Sequence, residues 1–301
     1  MDVEQYQFDE ALKAQRAIKE AQVAQVRQRY GLLTRIVLYV IAVGFLILSL
    51  IPIYLIVSAS FKTDLQIFAI PPVFIFTPTL DNYRVALTGG TSQLPYVINS
   101  LIASIASTII AVVFGSMAAY GLARFNFKGK NDLAYWILST RMAPPIAFVV
   151  PMFVLIKSLG LLDTWWALII MYTGMNLSFA VWLLRGFFLD IPPELEESAL
   201  VDGYTRFQVF TRIALPLVKP ALAAVAVFSL IFSWNEFLFA LILTQSNAKT
   251  IPVGIQGFSN SMGINWGPFM AVAFIAILPV MVFTFIMQRY LVRGLTFGAV
   301  K

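Results

Sequence analysis

Six long apolar segments dominate this chain and restrict the folds that are open to it. They cover residues 36–57, 97–123, 133–156, 165–188, 217–243 and 267–287. A helix that crosses the hydrocarbon core of a bilayer needs ~20 mainly apolar residues, and each segment meets that length. Because 59% of the residues are hydrophobic and only 12% are charged, too few polar side chains remain to cover a globule in water. We therefore predict an all-α, polytopic membrane protein with six transmembrane helices.

The placement of Lys and Arg predicts which side of the membrane each loop occupies. With the amino terminus inside, sixteen of the 21 basic residues fall in inner segments and four in outer ones, and Arg141 lies within the third span. Cytoplasmic loops carry the excess of Lys and Arg in membrane proteins. We therefore expect both termini and the loop at residues 189–216, here called the inner loop, to be cytoplasmic. Basic residues beside anionic lipid also explain the net charge of +6, so no nucleic-acid partner is expected.

The inner loop has the sequence signals of two short helices joined by a turn. Pro193 can open the first helix, where its missing N–H is not needed. Gly203 can adopt a positive φ and end that helix. Thr205 is a candidate N-cap for a second helix that runs to about residue 214. The second helix gathers three apolar side chains on one face, which predicts a partner protein or the headgroup region over Phe207, Phe210 and Ile213.

The same loop carries a pattern found in a known family. It reads Glu197-Ser198-Ala199, three residues, Gly203, nine residues, then Ile213-Ala214-Leu215-Pro216. This pattern resembles the EAA loop of permease subunits from binding-protein-dependent ABC importers, with Ser198 where that family usually has alanine. Other segments resemble the smaller, six-helix partner of the maltose-type sugar permease branch: residues 60–62, 78–83, 141–145, 234–237, 265–267 and 288–301. The resemblance covers residues 31–301.

The resemblance implies a function and a set of partners. The chain would be the permease subunit of an ATP-driven importer for a sugar or a related carbohydrate or polyol, moving solute by alternating access. Its partners would be a second, different permease, two copies of an ATPase, an extracytoplasmic solute-binding protein and the lipid of a bacterial or archaeal inner membrane. ATP and Mg would bind to the ATPase, and no cofactor to this chain. The residues implied to couple the chain to the ATPase are Glu197, Ala199, Gly203, Ile213, Leu215 and Pro216.

The residues that several kinds of enzyme chemistry require are absent from this sequence. No Gly-x-x-x-x-Gly-Lys-Ser/Thr motif is present, so ATP hydrolysis is expected on a separate chain. The absence of Cys and His removes thiolate and imidazole metal sites and leaves no disulfide chemistry. We therefore predict that this chain is not an enzyme and binds no metal.

Polar residues within the predicted spans are candidates for the translocation path, because charges at bilayer depth usually face a cavity, a partner or water. Trp234, Asn235 and Glu236 lie deep in the fifth span, and Arg141 lies in the third. In one interpretation the amide and carboxylate accept hydrogen bonds from sugar hydroxyls, and Trp234 stacks on a pyranose ring. In the other, Glu236 pairs with Arg141 or with a partner subunit and stabilises helix packing.

Two further function classes remain open from the residues alone. A proton-coupled secondary transporter could use Glu236 and Arg141 as a relay pair, although it would leave the pattern of the inner loop unexplained. A membrane scaffold without transport is the third class.

The chain is expected to comprise three parts. A cytoplasmic helix occupies residues 1–35, the permease domain residues 36–288 and a cytoplasmic tail residues 289–301.

Within the permease domain, Pro144, Pro145 and Pro151 allow bends that act either as hinges or as static shape. The outer loops at residues 59–96 and 244–266 either meet the binding protein or act as lids or plain connectors.

Overall fold

The computed structural model describes residues 32–88, 92–260 and 263–296, so the helix expected near the amino terminus and residues 297–301 lie outside it. The chain divides into two compact units, residues 1–56 and 57–301. The helices in chain order are α1 (Leu32–Ser60), α2 (Asp64–Ile67), α3 (Asp81–Leu87), α4 (Leu94–Arg124), α5 (Lys130–Met142), α6 (Pro145–Ser158), α7 (Trp165–Leu189), α8 (Pro193–Val201), α9 (Arg206–Val209), α10 (Leu215–Leu217), α11 (Lys219–Trp234), α12 (Leu238–Leu243), α13 (Ile251–Gly254) and α14 (Trp266–Thr296). A π-helical turn (Phe210–Ala214) joins α9 to α10, and a 3-10 turn (Ile255–Phe258) follows α13.

Four of these helices are long and apolar enough to cross a membrane unbroken, namely α1, α4, α7 and α14. The other two spans are broken. The third bends by 97° between α5 and α6, where Pro144 and Pro145 interrupt the helix, and the stretch from Arg206 to Leu217 meets α11 at 78°. The fifth predicted span is interrupted again after Trp234, since α12 begins only at Leu238. By length and composition the described residues thus hold up to six spans when each bent pair is counted once, which agrees with the predicted number, although the second bent pair begins within the inner loop.

The centre of the second unit is the pair α4 and α7, which pack closely because α4 presents small side chains every four residues. These residues are Ala103, Ser107, Ala111, Gly115, Ala119 and Ala123, all buried. Helices that pack in lipid favour such small residues, since they allow the backbones to approach. At Gly115 the approach is so close that an added Cβ would lie 2.6 Å from the Cβ of Ala180 in α7. The sequence analysis did not identify this packing.

Two apolar clusters lie along this helix pair. The inner one joins α4 and α7 to the inner loop and to α11 through residues such as Tyr120, Phe188 and Phe210. The outer one joins α4, α6, α7 and α12 through residues such as Ile156, Tyr172 and Leu243. The inner loop is therefore packed against the spans rather than suspended below them.

Three segments that carry the family resemblance meet just after α1. The Asn82 amide donates hydrogen bonds to the carbonyl oxygens of Ser60 (2.9 Å) and Lys62 (2.8 Å). A Cβ on Gly267 would collide with the Asn82 side chain. The three motifs therefore hold residues 60–62, α3 and the start of α14 together. Nearby, residues 259–260 (β1) and 263–264 (β2) form a two-residue antiparallel ladder that the sequence did not predict.

Candidate functional site

The inner loop folds as the two helices that its sequence predicts. Pro193 opens α8, and Gly203 follows that helix with φ +86°. The Thr205 hydroxyl accepts a hydrogen bond from the N–H of Gln208, whose side chain in turn accepts one from the Thr205 N–H. This reciprocal capping box satisfies two donors at the start of α9. The turn between α8 and α9 is thus defined by local sequence.

A buried ion pair holds α8 against the membrane helices. Glu196 is 3% exposed, and its Oε1 lies 2.8 Å from Nε of Arg124 at the end of α4. The Tyr120 hydroxyl donates to Glu196 Oε2 at 2.8 Å, and Arg124 Nη2 donates to the carbonyl oxygen of Ile191 at 2.9 Å. Both carboxylate oxygens are therefore satisfied, which a buried charge requires. These contacts connect α8 and the segment before it to α4.

This contact was not predicted from the sequence. The predicted coupling residue was Glu197, which is exposed, and not its neighbour Glu196. A signal was nevertheless present, because Tyr120 and Arg124 are four residues apart and so share one helix face at the inner end of a span. Two hydrogen-bond donors on that face indicate an acceptor from a neighbouring segment.

The predicted coupling residues divide into exposed and buried groups. Glu197, Gly203 and Pro216 are exposed, and Ile213 and Leu215 are half-buried. Ala199 is only 5% exposed, so its small side chain permits close packing within this chain and does not present a surface to a partner. The three side chains of the predicted apolar stripe also differ in exposure, since Phe207 is exposed and Phe210 is buried. Other apolar side chains on the outer surface of the loop remain exposed: Leu195, Val201 and Tyr204.

A cavity of about 690 Å³ opens between the broken third span, α7 and α11. Arg141 and Asn235, two of the predicted path residues, line it together with Thr140 and Ser178, whose hydroxyls lie 2.7 Å apart. The Arg141 guanidinium donates to the carbonyl oxygen of Met175 at 3.0 Å. Its Cζ also lies 4.7 Å from the ring centre of Phe232. The remaining lining is apolar and comprises Ala143, Pro145, Phe148, Met152, Ile170, Met171, Gly174, Met175, Ile231 and Phe239.

The other two predicted path residues lie elsewhere. Trp234 is 2% exposed and donates from Nε1 to the carbonyl oxygen of Ala276 at 3.0 Å, so its ring packs against α14 and is not free to stack on a sugar. Glu236 accepts hydrogen bonds from the N–H groups of Phe239 (3.0 Å) and Ala240 (3.1 Å) and so caps α12. The pairing of Glu236 with Arg141 was wrong: their side chains form no ion pair in the described part of the chain.

Between α6 and α7, Asp163 binds the segment that follows α12. Its carboxylate accepts hydrogen bonds from the N–H groups of residues 245–248, at 2.8–3.2 Å. Its own N–H donates to the carbonyl oxygen of Leu243 at 2.8 Å. Asp163 holds the left-handed φ of +58°, which Asp tolerates better than most residues. Burial would raise the pKa of Asp163, but the four backbone donors lower it from 3.8 to about 2.

This site predicts a pH-dependent contribution to stability. Because the pKa of Asp163 is lower in the folded state, the carboxylate stabilises the fold above about pH 4, and this contribution is lost as the pH falls towards about 2. We expect Asp163→Asn to have a lower melting temperature than the wild type near neutral pH, and the difference to shrink across that acidic range. Asp64→Asn, at an exposed position in α2, is the control and should match the wild type throughout. A constant difference for Asp163→Asn at every pH would contradict the assignment.

Known proteins are similar to this chain in sequence and in fold. Residues 111–297 match the family described as binding-protein-dependent transport system inner membrane component. The probable ABC transporter permease protein y4oR of Sinorhizobium fredii is 43% identical over 84% of this chain and 90% of its own length. The trehalose/maltose transport system permease protein MalG of Thermococcus litoralis is 36% identical over 91% of this chain and 99% of its own length.

Among solved structures, a chain of a bacterial ABC transporter involved in the import of the polysaccharide alginate has the same fold. Its TM-score is 0.72 at 24% identity, over 87% of this chain and 99% of that one. The family match covers more than half of the chain and includes the whole inner loop. This chain belongs to the family of inner membrane components of binding-protein-dependent transport systems.

Proposed function

We propose that this chain is a permease subunit of an ATP-driven importer for a sugar or a related carbohydrate or polyol. It pairs with a second, different permease, and two ATPase subunits that bind ATP and Mg supply the energy. An extracytoplasmic binding protein delivers the solute, and both termini of the chain are cytoplasmic. Relatives named for trehalose and maltose transport support the solute class.

The observation that carries this proposal is the construction of the inner loop. The side of the loop that faces the membrane helices is held by the Glu196–Arg124 ion pair. The opposite side exposes Glu197 and several apolar side chains. Such a surface fits a cleft on a partner protein. A rigid connection between that surface and α4 allows movement of the ATPase to reach the membrane helices without unfolding the loop.

Gly203→Asp tests the coupling. A Cβ at Gly203 meets no atom of the described residues within 4 Å, so it has open space around it, and the positive φ costs a non-glycine residue only ~1–2 kcal/mol. We expect Gly203→Asp to insert and to co-purify with the second permease and the ATPase, but to lose most solute uptake. Gly203→Ala introduces similar backbone strain but adds only an uncharged methyl group, and it should retain most uptake. Normal uptake by Gly203→Asp would sink the coupling assignment.

The cavity is the candidate solute path within this chain. It has a mainly apolar wall with a few polar groups, the arrangement that binds solutes of the size of a sugar. Asn235 lies where the helix is interrupted between α11 and α12, and among the described residues its amide donates to the carbonyl oxygen of Ile231 in α11, at 2.9 Å. One amide oxygen therefore remains available to a hydroxyl of the solute.

We expect Asn235→Leu to raise the KM for uptake about tenfold, because a hydrogen bond to the solute is lost. Transport of radiolabelled solute into proteoliposomes of the complete transporter measures this. Trp234→Phe is the control, since it alters a neighbouring residue that does not line the cavity. It should lower the melting temperature and leave KM unchanged. An unchanged KM for Asn235→Leu would remove Asn235 from the path.

A proton-coupled secondary transporter is less well supported. It required Glu236 and Arg141 to form a relay pair, and instead Glu236 caps α12 while Arg141 contacts Met175 and Phe232. A scaffold role would leave the cavity unused. Uptake that depends on ATP and is unaffected by a proton uncoupler separates the importer from both alternatives.

A further inference from the structure

A second, small cavity lies between the start of α5 and the last turns of α7. Its volume is about 60 Å³, well below the ~300–1,000 Å³ of pockets that enclose small molecules. It therefore suits a compact group whose remainder stays outside. The residues that line it are Asn131, Ala134, Tyr135, Leu138, Val181, Trp182 and Arg185.

Arg185 is the charged residue of this cavity, and the described part of the chain gives it no partner. Its Nε–H is buried and donates no hydrogen bond to any described residue. Arg124 and Arg141, by contrast, each donate to protein oxygens. A buried donor without an acceptor is costly, so an acceptor from outside the described residues is expected at Arg185.

The other polar groups of the cavity select the chemistry of that acceptor. Asn131 and Tyr135 can donate hydrogen bonds, and no carboxylate lines the cavity. Asp132 lies in the first turn of α5 but outside the lining. Several donors around one guanidinium, without a competing acid, match a phosphate group with its several oxygens.

The surroundings indicate that this phosphate belongs to a lipid. Trp182 and Tyr135, which line the cavity, are 53% and 72% exposed, and Trp and Tyr are enriched at the membrane–water interface. Arg185 lies four residues before the end of α7, about 6 Å along the helix axis. Leu138 and Val181 add apolar lining farther from the start of α5 and the end of α7 than Asn131 and Arg185.

We propose that this cavity, the Arg185 site, binds the phosphate of an anionic phospholipid. Arg185 is the charged donor, and Asn131 and Tyr135 contact the remaining oxygens. The orientation proposed above is needed only to name the leaflet, which is then the cytoplasmic one. Lipid binding at this site stabilises the contact between α5 and α7, and so the broken third span that lines the solute cavity.

Native mass spectrometry of the complete transporter tests this, with phosphatidylglycerol added to complexes purified in phosphatidylcholine nanodiscs. We expect Arg185→Gln to weaken retention of phosphatidylglycerol about tenfold, as the loss of a charge-assisted hydrogen bond would. Lys128→Gln removes the same charge from an exposed position just before α5 and should change retention by less than about twofold. Tyr135→Phe, which deletes a single hydroxyl at an exposed position, should give an intermediate loss and serves if Arg185→Gln fails to assemble.

Three results would overturn the proposal. Equal losses for Arg185→Gln and Lys128→Gln would show general charge attraction in place of a site. Undiminished retention in Arg185→Gln and Tyr135→Phe would show that the lipid binds elsewhere. Displacement of phosphatidylglycerol by inorganic phosphate would assign the site to a free anion. The readout is lipid and not uptake, so it does not depend on which solute is carried.

Discussion

Glu196→Gln is expected to release the inner loop from the membrane helices and to abolish most solute uptake. The substitution leaves Arg124, whose side chain is 13% exposed, without its counter-charge. Removing one partner of a buried ion pair typically costs about 3–5 kcal/mol. The Tyr120 hydroxyl would also lose the charged form of its acceptor. We expect a lower melting temperature of the purified transporter, and ATP hydrolysis that no longer drives transport.

The neighbouring glutamate provides a matched control. Glu197 is exposed, so Glu197→Gln should change the free energy of unfolding by less than about 0.5 kcal/mol. Any loss of uptake in that variant would then come from the contact with the ATPase. Pairing Glu196→Leu with Arg124→Met removes both charges, and the double variant should be more stable than either single one. Equal melting temperatures for Glu196→Gln and Glu197→Gln would refute the structural role of the ion pair.

Gly115→Ala is expected to disrupt the packing of α4 on α7. The new Cβ would lie 2.6 Å from the Cβ of Ala180, and neither atom belongs to a flexible side chain that could move away. Overpacking of this kind typically costs about 1–3 kcal/mol. Because α4 and α7 form the centre of the second unit, we expect a lower yield of assembled transporter and a lower melting temperature.

Two further variants separate this clash from a general effect of substituting glycine. Gly121→Ala, in the same helix, meets only the Phe125 ring at 4.0 Å, so it should be neutral or more stable by up to about 1 kcal/mol. Ala180→Gly in the Gly115→Ala background removes the opposing Cβ and should restore stability. Equal stability of Gly115→Ala and Gly121→Ala would show that the helices can separate without cost.

The agreement between the predicted spans and the observed helices differs from span to span. The unbroken helices α1, α4, α7 and α14 follow their apolar segments closely, because length and hydropathy are sufficient to define such a helix. The third and fifth spans were predicted as continuous and are interrupted at Pro144 and after Trp234. The prolines of the third span signalled a possible bend, but the size of a bend depends on which neighbours satisfy the freed carbonyl groups.

The candidate site likewise has some features that nearby residues predict and others that depend on distant parts of the chain. The capping box at Thr205 and the turn at Gly203 depend on residues a few positions apart, so their sequence predicted them. The role of Glu196 depends on Tyr120 and Arg124, more than seventy positions earlier. Asn235 and Arg141 meet at the cavity only because α5, α7 and α11 converge there.

The sequence alone thus determined the class of the protein, its spans, its inner loop and its family, because hydropathy, capping and motif spacing are local properties of the chain. Only the tertiary structure decided which of two adjacent glutamates is buried, and that Trp234 and Glu236 support the helices while Asn235 faces the cavity. For the two glutamates, which both lie in α8, the physical reason is that adjacent helical residues point about 100° apart. Which of those directions is buried is set by the helices that pack there, and these come from distant parts of the chain.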